Sequence, residues 1–331
     1  MSVSPAESPP PVEVRGLVKR YGDLTAVAGV DITVNTGDVY GYLGPNGAGK
    51  TTSLRMMLGL IRPTAGTVRL FGRDPMLSVK ALEGVAGFVE APTFYPYMSG
   101  RRNLELLGAF DGHGASARID EALEIVELSD RARDKVGGYS HGMRQRLGIA
   151  AALLRRPNLM LLDEPATGLD PAGMRDMRVL VRRLADQGIT VMLSSHLLAE
   201  VEELCNKVAI IQAGTIVYEG EIAELKRGGG TSYRLATTDD ERALAVCRAQ
   251  PGIGDVRTDH GRISFTADDA AVAELSQALV EAGALIRVLT PQTMTLEDLF
   301  FSLTEGTDGA RGERSIAGEH PEPAEPAETA R

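Results

Sequence analysis

A glycine-rich segment that follows an apolar run constrains the fold of this chain more than any other feature. Residues 44–51 read Gly-Pro-Asn-Gly-Ala-Gly-Lys-Thr and fit the pattern GxxxxGK[ST]. The run Val39–Leu43 precedes the segment, and a helical pattern over Thr51–Leu60 follows it. When a strand is followed by a tight loop and then a helix, the backbone N–H groups of the loop and the N-terminus of the helix point to one place. An anion binds there. The segment therefore predicts a phosphate-binding loop, and an ordinary glycine-rich turn is the weaker alternative.

The residue types in this loop suit the phosphates of a nucleotide. Glycine lets the backbone wrap closely around phosphate oxygens, and Lys50 supplies a compact positive charge for the β- and γ-phosphates. Thr51 offers a hydroxyl group of the kind that binds Mg²⁺ beside nucleotide phosphates. We therefore predict a nucleotide-binding site with Mg²⁺, made by Gly44, Pro45, Asn46, Gly47, Ala48, Gly49, Lys50, Thr51 and Thr52.

Short apolar runs alternate with helical patterns before residue 228. The runs lack the alternation of a half-exposed strand, which indicates strands that are buried on both faces of a sheet. Asp170 followed by Pro171 is typical of a helix start, with an N-cap and a proline at the first helical position. This order predicts an α/β domain with a largely parallel sheet. The predicted strands are Val39–Leu43, Leu159–Leu162, Thr190–Leu193 and Val208–Ile211, and the predicted helices are Thr51–Leu60, Pro171–Asp186 and Leu197–Cys205.

Composition divides the chain into domains and tails. Three consecutive glycines at 228–230 mark a linker, because glycine disfavours regular structure. We predict a first domain over 12–227 and a small α+β domain over 231–304. Residues 1–11, rich in Pro and Ser, and residues 305–331, with seven acidic residues and three Arg, are predicted to be disordered. In the small domain the predicted strands are Ser232–Leu235, Asp255–Thr258 and Ile263–Thr266, and the predicted helices are Asp240–Ala249 and Ala270–Ala282.

Net charge and cysteine content narrow the range of partners. The formal net charge is −10, which disfavours nucleic acid as a partner because phosphate backbones bind basic surfaces. Cys205 and Cys247 are too few for a disulfide framework and suit a reducing cytosol. We expect no signal peptide and no transmembrane helix, since no run of about 18 apolar residues is found. Any function of this chain at a membrane would then depend on another protein that spans it.

Two adjacent carboxylates end one of the predicted buried strands. Asp163 and Glu164 follow directly after Leu159–Leu162, and successive strand side chains point to opposite faces, so the two can serve different tasks. In phosphate-loop enzymes an Asp at this place holds the Mg²⁺ shell, and the neighbouring Glu can take a proton from an attacking water. Alone, the pair would also fit solvated helix caps, but a phosphate loop in the same domain favours the catalytic interpretation.

Three further motifs flank this pair in the order found in one ATPase family. Residues 139–147 read Tyr-Ser-His-Gly-Met-Arg-Gln-Arg-Leu, and the triplets Gly168–Asp170 and Ser194–His196 come after Glu164. The order of phosphate loop, signature, Asp-Glu strand, Asp loop and switch His resembles the ABC ATPase family over about residues 12–225. The resemblance implies a P-loop NTPase fold with a RecA-like core and a helical subdomain, and ATP as the nucleotide.

The resemblance also implies roles for residues around the phosphate loop. Tyr21 matches the aromatic residue that stacks on adenine, a task for which a flat ring suffices; an ordinary strand tyrosine is the alternative. Lys50 and Thr51 match the Walker A residues. Asp163 matches the Walker B ligand of Mg²⁺, and Glu164 matches the catalytic base.

Further roles concern the γ-phosphate and a second subunit. His196 matches the switch residue that senses the γ-phosphate, and Asp170 belongs to the loop that communicates across a dimer. Ser140 and Gly142 match the two signature positions that approach the nucleotide of the other subunit, one as a donor and helix cap, the other by close backbone approach. The signature departs from Leu-Ser-Gly-Gly-Gln at Tyr139, His141 and Met143.

A second departure lies at Glu90, where most members carry Gln in contact with Mg²⁺ and the attacking water. A carboxylate can make both contacts, so we predict Glu90 as a catalytic residue and Mg²⁺ ligand. Residues 90–104 are similar to the bacitracin and lantibiotic exporter ATPases, and the small C-terminal domain, ending Thr295–Phe300, is similar to that of drug-resistance ATPases. Three aromatic residues would lie near the groove that receives a partner's coupling helix, or pack in a local core: Phe94, Tyr95 and Tyr97.

The resemblance implies an ATP-hydrolysing subunit of a membrane exporter of the ABC-2 type, and a drug, a peptide antibiotic, an ion and a lipid-linked glycan are all compatible as cargo. The implied partners are an integral-membrane permease on a separate chain and a second ATPase subunit, in a homodimer or pseudo-symmetric dimer with two ATP sites. The chain would then work at the cytoplasmic face of the cell membrane. A soluble ABC ATPase without a transport role is the alternative, although this chain shows one cassette and no sustained heptads. A non-enzymatic regulator is disfavoured because Glu164 and His196 are both present.

Overall fold

Strands and helices alternate along most of the chain. The computed structural model describes residues 8–110, 114–224, 231–259, 262–292 and Leu296. The strands are β1 (Val12–Tyr21), β2 (Leu24–Val34), β3 (Val39–Leu43), β4 (Ala65–Leu70), β5 (Val85–Phe88), β6 (Leu159–Asp163), β7 (Thr190–Ser195), β8 (Lys207–Gln212), β9 (Thr215–Glu221), β10 (Thr231–Thr237), β11 (Gly254–Asp259), β12 (Arg262–Ala267) and β13 (Ile286–Gln292). The helices are α1 (Lys50–Met57), α2 (Gly100–Gly108), α3 (Ile119–Ile125), α4 (His141–Leu153), α5 (Pro171–Asp186), α6 (Leu198–Leu204), α7 (Asp240–Ala249) and α8 (Asp269–Glu281).

A six-stranded sheet with the order β5-β6-β7-β3-β8-β9 forms the centre of the larger part. All neighbours in it are parallel except β9, which runs antiparallel to β8. The sheet is buried on both faces. Tyr40 and Tyr42 of β3 pack into one hydrophobic cluster, while Val39 and Leu43 pack into the other, as the two-residue period of a strand requires. The predicted α/β fold with a largely parallel sheet is therefore confirmed.

Helices α2, α3 and α4 lie between β5 and β6 in the chain and form the helical subdomain that the family resemblance implies. Their apolar side chains, including Leu104, Leu123 and Leu147, are fully or almost fully buried in the same cluster as one face of the sheet. Ser99 caps α2 by accepting the Arg102 N–H at 3.2 Å. The subdomain therefore packs as one body with the sheet.

A three-stranded antiparallel sheet, β2-β1-β4, covers the other face of the larger part. The sequence patterns above did not predict it. The residues Val12, Val14 and Leu17 of β1 are fully buried, but a bulge between Val14 and Leu17 shifts the register, and Gly16 has a φ of 55° there. The bulge interrupts the alternation that identifies a half-buried strand.

Residues 231–292 form a second sheet, with the order β11-β12-β10-β13 and antiparallel neighbours throughout. The chain order β10-α7-β11-β12-α8-β13 is that of a split βαβ, or ferredoxin-like, domain. Its core is separate from the other two clusters and contains Leu235, Phe265 and Leu279. The predicted α+β class is confirmed, and β13, which was not predicted, completes the sheet.

Several predicted element ends differ from the structure. The predicted helix over Thr51–Leu60 spans Lys50–Met57, because the chain turns at Leu58 and Gly59, where Gly59 has a φ of 70°. Strand β7 continues two residues beyond the predicted Leu193. Residues 1–7 and 305–331 lie outside the described residues, as do the linker at 225–230 and all of 293–304 except Leu296. The domain boundaries therefore stay predictions. Within the described part, no helix is long and apolar enough to cross a membrane.

Candidate nucleotide-binding and catalytic site

The glycine-rich loop between β3 and α1 forms the wall of a cleft with a volume of ≈ 320 Å³. Gly47 has a φ of 81° and Gly49 a φ of 105°, a region that side chains other than glycine rarely adopt. A Cβ atom on Gly49 would lie 2.4 Å from the Ala26 carbonyl oxygen, so glycine is required there. The residues that line the cleft are Tyr21, Leu24, Ala26, Asn46, Gly47, Gly49, Lys50, Thr51, Thr52 and Glu164.

Lys50 is held at the start of α1 by three oxygens. It is only 5 % exposed, and its Nζ donates to the carbonyl oxygens of Gly44 at 2.7 Å and Pro45 at 3.1 Å. The third partner is Glu164 Oε1, at 3.2 Å. An ammonium group has three protons, so each proton has one partner. Lys50 therefore points back along its own loop towards the end of β6.

Asp163, the last residue of β6, accepts two hydroxyl groups. Thr51 Oγ1 donates to its Oδ2 at 2.8 Å, and Ser194 Oγ donates to its Oδ1 at 2.5 Å. Ser194 also accepts the backbone N–H of Glu164 at 3.0 Å. Because Asp163 and Ser194 are partners in the β6–β7 register, the parallel sheet itself brings these groups together. Ser194 thus fixes both carboxylate residues.

Glu164 lies at the centre of the polar cluster. Its backbone has a φ of 46°, which turns the side chain away from the direction that β6 would give it. Its Oε2 accepts the Thr167 hydroxyl at 2.7 Å and lies 2.8 Å from His196 Nδ1. A carboxylate only accepts, so Nδ1 carries the proton in this contact.

The charge state of Glu164 follows from these contacts. Burial by itself raises the pKa of the Glu164 carboxyl, but the Thr167 hydrogen bond and the neighbouring Lys50 and His196 lower it, and the pKa lies below its usual range. Glu164 is therefore ionised at neutral pH, as a residue that accepts a proton from water must be.

A buried acidic residue, Glu200, stabilises the turn that carries His196. Ser195 Oγ donates to Glu200 Oε2 at 2.8 Å and accepts the Leu197 N–H at 3.0 Å. Burial raises the pKa of Glu200. These contacts stabilise the β7–α6 turn and with it the position of the His196 ring.

Tyr21 stands at the opposite side of the cleft, at the end of β1. Its side chain is about half exposed, and the Lys19 ammonium lies 4.9 Å from its ring centroid. Lys19 is held in turn by the Arg62 carbonyl oxygen, at 2.7 Å. A cation on one face of the ring leaves the other face for a flat ligand.

The signature residues lie in a second cleft, with a volume of ≈ 390 Å³. Ser140 and Gly142 line it together with Gly168 and Asp170 of the loop after β6. Ser140 caps α4 by accepting the Met143 N–H at 3.2 Å. Asp170 caps α5 in the same way, with Gly173 as the donor at 2.9 Å. The structure therefore does not bring Ser140 and Gly142 to the cleft that contains Lys50.

Glu90 lines neither cleft. Its carboxylate pairs with the Arg55 guanidinium on α1, its side chain is 68 % exposed, and its backbone has a φ of 74°. Of the three aromatic residues that follow it, Phe94 packs against the main core, while Tyr95 and Tyr97 are exposed and lie in tilted contact at 5.8 Å.

Thr51 and Asp163 supply two oxygens of the kind that bind a magnesium ion. Mg²⁺ prefers oxygen ligands and usually takes one or two from the protein, the others coming from phosphates and waters. A hydroxyl and a carboxylate oxygen 2.8 Å apart at the start of α1 fit that requirement. Within the described residues, no three His, Cys, Asp or Glu side chains form a cage for a metal.

Known proteins share this architecture. Residues 27–167 match the sequence profile of the ABC transporter family. The bacitracin transport ATP-binding protein BcrA of Bacillus licheniformis is 38 % identical over 298 residues, which cover 89 % of this chain and 97 % of BcrA.

The chain belongs to the ABC transporter ATP-binding family.

Two further similar proteins agree with this family assignment. The daunorubicin resistance ATP-binding protein DrrA3 of Streptomyces coeruleorubidus is 37 % identical, over 88 % of this chain and 95 % of DrrA3. The ADP conformation of MJ1267, an ATP-binding cassette of an ABC transporter, has a TM-score of 0.59 at 26 % identity and covers 65 % of this chain and 94 % of that one. Family membership confirms the resemblance, the fold class, nucleotide binding and ATP hydrolysis that the sequence predicted.

Sequence reasoning did not identify Ser194 and Thr167 as part of the site. Ser194 reaches it through a tertiary contact, its register with Asp163, and Thr167 reaches it through the local turn that begins at Glu164. A signal for Ser194 was available, because it is a hydroxyl residue at the end of a buried strand that runs into the switch His. No comparable signal marked Thr167.

Proposed function

We propose that this chain hydrolyses ATP as one of two ATPase subunits that power a membrane exporter, at the cytoplasmic face of the cell membrane. The observation that carries the proposal is the separation of two clefts. The cleft at Lys50 contains the phosphate loop and Glu164, and the cleft at Ser140 contains the signature. One complete site therefore needs the Lys50 cleft of one subunit and the Ser140 cleft of another, which is the geometry of a two-fold dimer with two sites.

The contacts at β6 and β7 support distinct catalytic roles. Glu164, ionised and fixed by Thr167 and His196, is placed to take a proton from the attacking water. Lys50 binds the β- and γ-phosphates, and the loop N–H groups and the N-terminus of α1 neutralise further charge. Bound Mg²⁺ would offset phosphate charge, with Thr51 and Asp163 to hold it. His196 holds Glu164 through Nδ1, and its Nε2 donates to a γ-phosphate oxygen when the ring is protonated at both nitrogens.

Glu90 can contribute to this site only when its carboxylate leaves Arg55. Its carboxylate is engaged by Arg55, and both side chains are largely on the surface, where such a pair contributes little, about 0–1 kcal/mol. We propose that closure of the dimer releases Glu90 towards Mg²⁺ and the attacking water. The segment that follows Glu90 would then report the closure to the permease, through the exposed rings of Tyr95 and Tyr97.

The relatives support export as the process that is driven. BcrA is described as a bacitracin transport protein and DrrA3 as a daunorubicin resistance protein, and both align over almost their whole length. We propose a drug or a peptide antibiotic as the cargo, carried by an integral-membrane permease that is a separate chain.

Replacement of Glu164 by Gln tests the catalytic proposal. Gln keeps the shape but accepts no proton, so ATP turnover should fall by roughly a hundredfold or more, while ATP still binds and now traps a dimer. Phosphate release and light scattering with ATP and Mg²⁺ measure the two effects. The matched control is Glu274→Gln on α8, an exposed residue far along the chain, which should behave like the wild type. Wild-type turnover of Glu164→Gln would reject the assignment of the base.

Paired substitution of Tyr95 and Tyr97 by Ala tests the link to the membrane. Both rings are exposed, so the fold and the basal ATPase rate should be unchanged. Association with membranes that contain the co-expressed permease should fall, as measured by co-sedimentation. Full association of the double variant would reject this surface, and a soluble protein with no permease-dependent sedimentation would favour a soluble ABC ATPase.

A further inference from the structure

His141 joins the signature helix to the loop after β6. It is the first residue of α4, directly after the cap Ser140, and most ABC signatures carry glycine at this position. Its Nε2 lies 3.1 Å from the Thr167 carbonyl oxygen. A carbonyl oxygen only accepts, so Nε2 must carry the proton, and the contact fixes the tautomer of the ring.

Thr167 connects His141 with the carboxylate of Glu164. Its hydroxyl donates to Glu164 Oε2 at 2.7 Å, and its backbone N–H donates to the Glu164 carbonyl oxygen at 3.1 Å. A displacement of Thr167 therefore displaces the Glu164 side chain relative to Lys50 and His196. Two hydrogen bonds through one residue connect the signature helix with the proposed base.

The His141 ring also lies beside the loop after β6. A Cβ atom on Gly168 would lie 3.5 Å from His141 Nε2, and Gln145 Nε2 lies 3.5 Å from the same nitrogen. Since that nitrogen donates to Thr167, the Gln145 contact is packing and not a second hydrogen bond. On the next residue, a Cβ atom at Gly142 would lie 3.5 Å from Leu169 Cδ2. These separations are ordinary van der Waals distances, so the hydrogen bond to Thr167 is the specific link between the start of α4 and the loop.

We propose that His141 is a positioning residue that couples the two ATP sites of the dimer through its hydrogen bond to Thr167. The inference rests on the proposed function, in which Ser140 contacts the nucleotide of the other subunit and Glu164 acts on the nucleotide of its own. When the other subunit's γ-phosphate engages Ser140, the N-terminus of α4 is fixed, and the bond from His141 fixes Thr167 and Glu164 in turn. Hydrolysis in one site then depends on nucleotide in the other, as a coupling between sites requires.

A matched pair of substitutions separates the hydrogen bond from packing. His141→Gln keeps an N–H donor at a similar distance from the backbone, whereas His141→Leu keeps a similar volume without a donor. In the full-length protein, His141→Leu should lower kcat about tenfold, the order expected when one hydrogen bond is lost. KM for ATP should stay within about twofold, and the Hill coefficient should fall from above 1 to about 1. His141→Gln should restore both kcat and the Hill coefficient.

A double-mutant cycle with Thr167→Val tests the path itself. Valine removes the hydroxyl that Glu164 accepts but keeps the backbone carbonyl that His141 contacts. If the two bonds act in series, the effects of His141→Leu and Thr167→Val on kcat should be clearly less than additive. Additive effects would overturn the path.

The Glu164→Gln variant, measured in the same series, separates this inference from the proposed function. If Glu164→Gln keeps its turnover, the proposed function fails. If Glu164→Gln is inactive but His141→Leu has wild-type kcat and cooperativity, only the inference fails. An equal loss in His141→Leu and His141→Gln, or a wild-type Hill coefficient of 1, would also overturn the coupling role.

Discussion

The two folded parts of the chain use their polar side chains differently. In residues 12–224, Lys50, Asp163, Glu164 and His196 come from distant points of the sequence and meet within hydrogen-bond distance of one another or of shared neighbours. In residues 231–292, the described polar contacts are mostly local, such as the caps that Asp239 and Asp268 provide for α7 and α8. Both parts have a sheet, helices and a closed core, so the amount of regular structure does not explain the difference.

Strand direction explains it. Strands β3, β6 and β7 are parallel neighbours, with Leu43 opposite Ser195 and Asp163 opposite Ser194. Their carboxyl ends therefore meet at one edge of the sheet, and the loops that follow converge there. In the C-terminal sheet every pair of neighbours is antiparallel, so successive strands end at opposite edges. Convergence of distant motifs is a property of the parallel sheet.

The largest expected effect is that of Lys50→Met. It removes a buried cation from the converging edge and takes one of three partners from Glu164, the others being Thr167 and His196. ATP affinity, measured by calorimetry, should fall by about a hundredfold or more. The exposed Lys80→Met serves as the control. An affinity within about threefold of the wild type would contradict the assignment of the phosphate loop.

Leu235→Ala tests the stability of the C-terminal part, residues 231–292. Leu235 is fully buried in the C-terminal core, and its truncation should lower the free energy of unfolding of this part by about 2–5 kcal/mol. Exposed Leu285→Ala should cost about 0.5 kcal/mol or less. Urea unfolding followed by circular dichroism measures both. ATP affinity should not change, and a parallel loss of affinity would show that the two parts depend on each other.

A smaller effect is expected from Tyr21→Ala. Loss of base stacking corresponds to about 1–3 kcal/mol, so ATP should bind about tenfold more weakly, while Tyr21→Phe should bind normally. Inorganic tripolyphosphate provides the internal control, because it has no base and its affinity should be the same in all three proteins. An equal loss for ATP and tripolyphosphate would show that Tyr21 supports the loop instead of stacking.

The smallest expected effect is a change of pH dependence in Thr167→Val. Thr167 helps to lower the pKa of Glu164, so its removal raises that pKa towards the usual value. The base works only when deprotonated. The acid limb of the kcat–pH curve should therefore move to higher pH. Thr167→Ser keeps the hydroxyl and should leave the limb in place; a shift to lower pH in Thr167→Val would contradict the contact.

The comparison also shows what the sequence could predict. Continuous apolar runs identified β3 and most of β6 and β7, because strands buried on both faces leave no polar positions to confuse the pattern. Strand β1 escaped notice because its bulge breaks the alternation, and β13 because Pro291 is atypical of a strand.

Within the site, residues that belong to contiguous motifs were predictable, and residues that act through the fold were not. Lys50, Thr51 and Asp163 stand at fixed spacings in motifs. The contact between Thr167 and Glu164 depends on the left-handed backbone at Glu164, which sequence spacing does not encode. The pairing of Glu90 with Arg55 is likewise a tertiary contact, which the spacing in the sequence does not predict.

The way Lys50 is held has a consequence for how the enzyme starts its cycle. Its three protons are all committed, and one of them is shared with the carboxylate of Glu164. A phosphate oxygen that takes this proton would release Glu164, the proposed base, from Lys50. Binding of the triphosphate would then free the carboxylate that the proposed mechanism requires. Glutamine at 164 would release Lys50 more easily, so Glu164→Gln should bind ATP more tightly than the wild type; equal affinity would argue against this exchange.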